Sequence, residues 1–253
     1  MFSINSATLL TLLSGFVWPF IRILAMLSTA PVFNHKAVPR RVRVGLAIGI
    51  SLLVTPLLPT PPTLNDPRAM SLLFQQVFIG IALGFSMRMI FTAFEMAGDL
   101  LGLQMGLAFA QFIDPQRNAP SPLIGSFIGI LASLAFFSIN GHLLVIAAII
   151  KSFEIAPVGD VFSHIQPERI AALGSLMFML GLQIALPVIT ALMSANIMLG
   201  VLARAAPQLN IMSIGFAVTL LVGFYVLYLS LPFLSMTFEQ SILRTLEVPV
   251  LVK

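Results

Sequence analysis

Four polar side chains recur at helical spacing within an otherwise apolar stretch of this 253-residue chain. Steps of 4, 3 and 4 residues place them on one face of a helix: Arg88, Thr92, Glu95 and Asp99. Charges in such a segment are costly unless they are paired or face a protein or water-filled interior. The pattern predicts the lining of a conduit or a contact between subunits. The alternative is a self-contained ion-pair cluster in which Arg88 serves both acids.

Residue types that commonly carry catalysis show no catalytic pattern. The three histidines, His35, His142 and His164, lie far apart and lack the spacing of metal ligands. The chain has no Walker loop, Rossmann fingerprint or nucleophile elbow, and it has no cysteine. The 13 methionines form no copper-binding tract and are interpreted as packing residues. We therefore expect neither an enzyme nor a site for a cofactor or metal.

Two phenylalanines enter the most proline-rich turn of the chain, in the sequence FAQFIDPQR at 109–117. Phe109 and Phe112 are three residues apart and would share a helix face. Pro115 disfavours helix at Asp114, so we expect the helix to end just after Phe112. The residues alone leave two interpretations open, namely aromatic anchors of a loop or an apolar constriction.

The composition is that of an integral membrane protein, or of a subunit buried among other membrane subunits, and we expect an all-α membrane protein. Hydrophobic residues make up 58% of the chain and charged residues 9%, and the mean hydropathy is +1.04. Soluble domains carry roughly a quarter charged residues, so this chain lacks the polar surface of a soluble globule. A net charge of +4 does not suggest a nucleic-acid partner. The first apolar run has no preceding Lys or Arg, so we expect it to be retained rather than cleaved as a signal peptide.

Hydropathy predicts about six apolar segments of membrane-crossing length, which should be helical because lipid leaves the backbone few alternatives. They lie near 8–33, 42–59, 70–98, 122–150, 171–203 and 211–236. Four basic residues cluster in the first connection, Lys36, Arg40, Arg41 and Arg43, as in a cytoplasmic turn. Six spans would then place both termini outside.

The third segment lies in a proline-free tract that extends from Pro67 to Pro115. One continuous helix over this tract would measure roughly 70 Å, about twice the thickness of a hydrocarbon core, so it must break or project from the membrane. Glycines four residues apart predict close helix packing. These sets are Gly45/Gly49, Gly80/Gly84, Gly98/Gly102/Gly106 and Gly125/Gly129.

Seven stretches resemble the FliR family, a subunit of the flagellar type III export gate, and more distantly its injectisome counterparts. They are WPFIRILAMLSTAPVF (18–33), VPRRVRVGLAI (38–48), QQVFIGIALGFSM (75–87), GLQMGLAFAQFIDP (102–115), NGH (140–142), ALPVITALM (185–193) and LGVLARAAPQLNIMSIGFAVTLLVGF (199–224). They occur in the family's order and cover nearly the whole chain.

The resemblance implies a non-enzymatic, pore-forming subunit in the bacterial inner membrane, at the flagellar basal body. One copy would assemble with FliP and FliQ, associate with FlhB, and pass unfolded flagellar proteins. The implied fold consists of bent helical hairpins, with a FliP-like part at 1–168 fused to a FliQ-like hairpin at 169–253. Such hairpins pack on neighbouring subunits, so the hydropathy segments need not be independent spans.

The resemblance also implies a role for residues 102–115, which are similar to the family's plug loop. The plug candidates are Phe109 and Phe112, with Met105 a weaker one, and the alternative is that both rings anchor the loop in a subunit interface. The following segment, QRNAPSPLIG, departs from the resemblance and receives no role. The main rival function is an ion- or solute-coupled transporter that would use Arg88, Glu95 and Asp99.

Overall fold

The computed structural model describes residues 6–59, 62–107, 123–159, 167–206 and 211–247. The helices in these ranges are α1 (Ser6–Thr29), α2 (Arg40–Val54), α3 (Ala69–Gln104), α4 (Leu123–Ser138), α5 (Gly141–Ile155), α6 (Pro167–Ala205) and α7 (Ile211–Glu247). A 3₁₀ turn, Thr55–Leu57, follows α2. The described ranges contain no strand, and the predicted all-α membrane fold is confirmed.

Three of the described helices, α3, α6 and α7, are long and apolar enough to cross a membrane, and α4 with α5 would make a fourth span. The prediction of six spans is therefore too high for the described residues. The 15 residues of α2 reach only about 22 Å, and Leu13–Thr29, the apolar part of α1, is also shorter than the three long helices.

The predicted segment 122–150 is two helices. α4 ends at Ser138 and α5 begins at Gly141, and between them Asn140 adopts the left-handed conformation, with φ 55° and ψ 37°. A non-glycine residue in this region interrupts a right-handed helix, and asparagine tolerates it better than most. Hydropathy averages over a single residue of this kind and so does not detect the break.

The helix α3 has defined ends. Before it, the backbone N–H of Arg68 donates to the carboxylate of Asp66 at 2.8 Å, and this hydrogen bond lowers the pKa of Asp66 below its usual value. α3 then runs for 36 residues, about 54 Å, which exceeds a hydrocarbon core of about 30 Å. It ends at Gln104, and the helix end predicted just after Phe112 lies outside the described residues.

The chain forms two compact units. The first comprises Met1–Met89, Asn140–Gly174 and Ser241–Lys253, and its core includes Trp18, Ile23 and Phe153. The second comprises Ile90–Ile139 and Ser175–Gln240. The second unit packs around an aromatic cluster. The rings of Phe91 and Phe94 each make an edge-to-face contact with the ring of Phe238, and the two ring centroids are 5.2 Å apart in both pairs.

The predicted division of the chain into a FliP-like part, 1–168, and a FliQ-like hairpin, 169–253, concerns similarity to two other proteins. The two compact units do not test that similarity. It stays a prediction.

Candidate functional site

The polar face of α3 is unevenly buried. Arg88 and Glu95 are exposed, whereas Asp99 is partly buried. Oδ1 of Asp99 is enclosed, and it has no hydrogen-bond partner among the described residues. A cluster of ion pairs that satisfies itself does not account for this oxygen. A buried polar atom without a partner is uncommon in native structures.

In the second unit, α3 and α4 touch through their backbones. A Cβ added at Gly98 would lie only 2.7 Å from Cα of Gly125 and 2.8 Å from the carbonyl oxygen of Ile124. A Cβ at Gly102 would make ordinary contact with Ile124, 3.6 Å away. Gly98 and Gly125 therefore have the predicted role of allowing close helix packing, because a side chain at either position would clash. Gly102 lies at the same contact but leaves room for a Cβ.

The two acids of α3 occupy the space that the glycines of α4 leave open. A Cβ at Gly125 would collide with Oδ1 of Asp99, and a Cβ at Gly129 would lie 2.9 Å from Oε1 of Glu95. Gly125 is in the first turn of α4, which begins at Leu123. The positive end of the α4 dipole therefore lies beside the Asp99 carboxylate.

Gly106 terminates α3 rather than packing within it. Its φ of 81° is left-handed, Leu107 N–H donates to the Gly102 carbonyl at 3.0 Å, and Gly106 N–H donates to the Leu103 carbonyl at 3.1 Å. This pair of bonds is a Schellman motif, which ends helices at glycine. The prediction that Gly106 packs between helices is corrected to a role as the helix cap.

Met105 is fully buried at this end of α3. Its side chain surrounds Gly223 of α7, where an added Cβ would lie 2.7 Å from Cγ and 2.9 Å from Sδ of Met105. Met105 thus packs within the second unit. The other two plug candidates, Phe109 and Phe112, lie outside the described residues, and the plug role of all three stays a prediction.

Arg22 organises the first unit. It is fully buried, and its guanidinium donates to Oε1 of Gln76 at 2.8 Å, to the Ser152 carbonyl at 2.9 Å and to the Ala156 carbonyl at 2.7 Å. The guanidinium carbon also lies 3.7 Å from the ring centroid of Phe153. The two carbonyls belong to the C-terminal turn of α5, the negative end of its dipole. Arg22 therefore joins α1, α3 and α5.

Glycines also bring α1 and α3 together in the first unit. A Cβ at Gly80 would lie 2.7 Å from Cβ of Ala25, and one at Gly84 would lie 2.6 Å from the Met26 carbonyl oxygen. By contrast, Gly45 and Gly49 on α2 have no other atom of the described residues within 4 Å of such a Cβ.

In the sequence, Arg22 is a charged residue within an apolar segment, and nothing near it identifies its partners. Its partners lie 54 to 134 residues away, and the only sequence signal was the polar pair Gln75 and Gln76 in an apolar stretch. Gly181 and Gly223 were also missed, because each faces a methionine side chain, Met96 and Met105 respectively, rather than another glycine.

Residues 13–245 match a known protein family, which is described as bacterial export proteins, family 1. The flagellar biosynthetic protein FliR of Pectobacterium carotovorum subsp. carotovorum is 45% identical over 235 residues, which cover 92% of this chain and 90% of the relative. The protein of that name from Escherichia coli K12 is 40% identical, with 93% and 91% covered. The corresponding protein of Bacillus subtilis 168 is 33% identical, with 95% of each chain covered.

Proposed function

This chain belongs to the FliR family of bacterial export proteins, and we propose that it is a non-enzymatic, pore-forming subunit of the flagellar protein-export gate. The coarser part of this statement, a membrane protein of flagellar export, follows from the family and from the three helices of membrane-crossing length. The proposal adds that the subunit lines a passage for unfolded flagellar proteins and is itself no catalyst.

The observation that carries the proposal is the uneven burial of the long helices. In α3, 56% of the most apolar 18-residue stretch is buried inside the chain. The corresponding buried share is 28% in α6 and 17% in α7. Large apolar side chains such as Met198 and Leu221 remain exposed. Lipid or neighbouring subunits must cover these surfaces, because apolar patches of this extent are not left open to water. A subunit that shares a pore wall needs such surfaces on more than one helix.

We propose FliP and FliQ as the neighbouring subunits, with one copy of this chain in each assembly, and FlhB as a protein associated with it. The site would be the bacterial inner membrane at the flagellar basal body. Residues 1–168 would take a position like that of FliP, and residues 169–253 one like that of FliQ. The exposed faces of α6 and α7, which fall in the second part, supply apolar surface for this packing.

Affinity purification of the full chain in mild detergent tests the assembly. We expect FliP and FliQ to co-purify in one large complex. A stable, lone monomer that binds a small solute would contradict the proposal and favour a transporter. A matched pair of variants refines the test: Met198→Ser and Leu221→Ser alter exposed surface, whereas Gly159→Ala alters a loop site with open space around it. Only the serine variants should release partner subunits.

An ion- or solute-coupled transporter is the second candidate, and the enclosed, unpartnered Oδ1 of Asp99 is the observation in its favour. Carboxylates at membrane depth are common in proton and ion pathways. The two candidates differ in their cargo, so transport of a small ion that persists without any other export protein would favour the transporter.

A further inference from the structure

We infer that the basic segment 36–43 and the adjoining helix α2 form a binding surface for an anionic phospholipid of the membrane. This surface lies in the first unit, and it includes no residue of the polar face of α3 or of the exposed faces of α6 and α7. Its function would be to fix this end of the chain at the headgroup level of one leaflet. The inference does not depend on the proposed pore.

The first observation is a local excess of positive charge. Residues 1–65 contain five Lys or Arg residues and no Asp or Glu. One of the five, Arg22, is buried, and the other four are Lys36, Arg40, Arg41 and Arg43. Lys36, Arg40 and Arg41 are exposed. A cluster of this kind beside a membrane helix attracts acidic headgroups at about 1 kcal/mol per cation.

The second observation is that the cluster has no acidic partner within the described part of the chain. None of the four side chains forms an ion pair or a hydrogen bond there, and Nε of Arg43 is enclosed without an acceptor. Asp66, the first acid along the chain, pairs with Arg68 instead. Three of the cations also occupy the first turn of α2, which contains no acid and has no side-chain cap at Pro39. The helix dipole adds positive potential at this end, which an external anion would relieve.

The third observation is an exposed apolar stripe directly below the cations. Arg40, Val44, Ile48 and Leu52 follow at steps of four on one face of α2, and the three apolar side chains are 39%, 40% and 61% exposed. The stripe from Arg40 to Leu52 measures about 18 Å, close to the roughly 15 Å depth of one leaflet.

Beside the stripe, Gly45 and Gly49 have open space where side chains would lie. They leave a shallow track along α2, next to the exposed Leu53. A phospholipid matches this surface at both levels, because its phosphate meets the cations while an acyl chain lies along the stripe and the track. An acidic protein segment would satisfy the cations but would leave the apolar stripe uncovered. The charge and the apolar surface together favour the lipid.

Native mass spectrometry of the full chain, purified in neutral detergent and titrated with phosphatidylglycerol or phosphatidylcholine, tests the inference. We expect the wild-type chain to retain phosphatidylglycerol preferentially. The variant Lys36→Gln/Arg40→Gln/Arg41→Gln should lose affinity for phosphatidylglycerol on the order of 100-fold, with little change for phosphatidylcholine. The matched control Arg169→Gln/Arg204→Gln/Arg244→Gln removes the same charge elsewhere and should change affinity less than about threefold.

Several results would overturn the inference. These are equal retention of the two lipids by the wild-type chain, an unchanged preference in the basic-segment variant, and displacement of the lipid by an equal concentration of inorganic phosphate. If the variant keeps its lipid preference but no longer co-purifies with FliP and FliQ, the cluster serves a protein instead. Gly49→Leu, which fills the track without a change of charge, should weaken retention of both lipids. It therefore tests the apolar half of the surface separately.

Discussion

Gly98 and Gly125 hold α3 and α4 in backbone contact, with only 2.7 Å between Cα of Gly125 and the position that a Cβ at Gly98 would take. This crossing also places the Asp99 carboxylate against Gly125, in the first turn of α4. The start of α4 and the last turns of α3 are therefore fixed to each other. The segment between them includes Phe109 and Phe112, two of the three plug candidates.

We predict that Gly125→Ala destabilises the protein. The added methyl group would collide with Oδ1 of Asp99 and lie 2.9 Å from the Glu95 carbonyl oxygen, so the helices must separate. Overpacking of this kind reduces the free energy of unfolding by about 1–3 kcal/mol. Thermal unfolding of the full chain in detergent measures the change. Gly45→Ala is the matched control, because nothing lies within 4 Å of its Cβ and alanine favours helix by up to about 1 kcal/mol. Equal loss of stability in both variants would contradict the packing role.

We expect Arg22→Met to be among the most destabilising substitutions in the first unit. Methionine has similar length but leaves Gln76 and the carbonyls of Ser152 and Ala156 without their donor. Each buried group left unpaired costs about 1–3 kcal/mol, so the total loss is on the order of 3 kcal/mol or more. Denaturant unfolding of the purified chain measures it.

Arg22→Lys separates charge from geometry. Lysine keeps the positive charge near the end of α5, but its ammonium cannot reach three separate acceptors as the planar guanidinium does. We therefore expect a smaller loss than in Arg22→Met. A lysine variant as stable as wild type would show that charge alone matters at this position.

The two acids of α3 should respond differently to neutralisation. Glu95 is exposed, so Glu95→Gln should weaken co-purification with partner subunits if the polar face contacts them. Asp99→Asn should leave assembly intact, because Oδ1 is enclosed and contacts α4 of the same chain. A pull-down of the two variants beside wild type, with a motility assay, checks both. Intact assembly with failed export in Glu95→Gln would instead indicate that Glu95 lines the path.

Phe109→Ala/Phe112→Ala should make the membrane leaky to small ions if the two rings close the pore. Bulky apolar groups seal a narrow passage by excluding water, and alanine removes most of that bulk. Ion flux into cells that produce the assembled gate is the measurement. Phe178→Ala, an exposed phenylalanine of α6, is the control and should cause no leak. An unchanged flux with intact assembly would assign the pair to anchoring the loop.

Much of the helical fold could be predicted from the sequence, because a chain with 58% hydrophobic residues has few other ways to satisfy its backbone in lipid. The spacing of glycines also identified the crossings at Gly80, Gly84, Gly98 and Gly125. It could not distinguish these from Gly45 and Gly49, whose surroundings are open, since the motif describes one helix and not its neighbour.

The features that the sequence did not predict share a physical cause. The backbone conformation of a single residue, and a partner that is distant in the chain, leave little trace in hydropathy. The left-handed residues Asn140 and Gly106 decide where a predicted segment divides and where α3 stops. α3 ends at Gln104, 11 residues before Pro115, whereas the helix end predicted just after Phe112 lies outside the described residues. For the candidate site, the spacing of Glu95 and Asp99 predicted one shared face, but only the structure shows that glycines of α4 lie against both carboxylates.

The hydrogen bonds of Arg22 also bear on the order of events during synthesis. Two of its acceptors, the carbonyls of Ser152 and Ala156, lie 130 and 134 residues further along the chain. At about 5–20 residues per second, the ribosome needs on the order of ten seconds to supply them. Until then α1 carries an arginine without these acceptors, at a cost of about 2.5–3.5 kcal/mol if it lies at mid-membrane. Stable insertion of the first helix is thus tied to completion of the fifth, and a nascent chain truncated before Ser152 should be held by the insertion machinery.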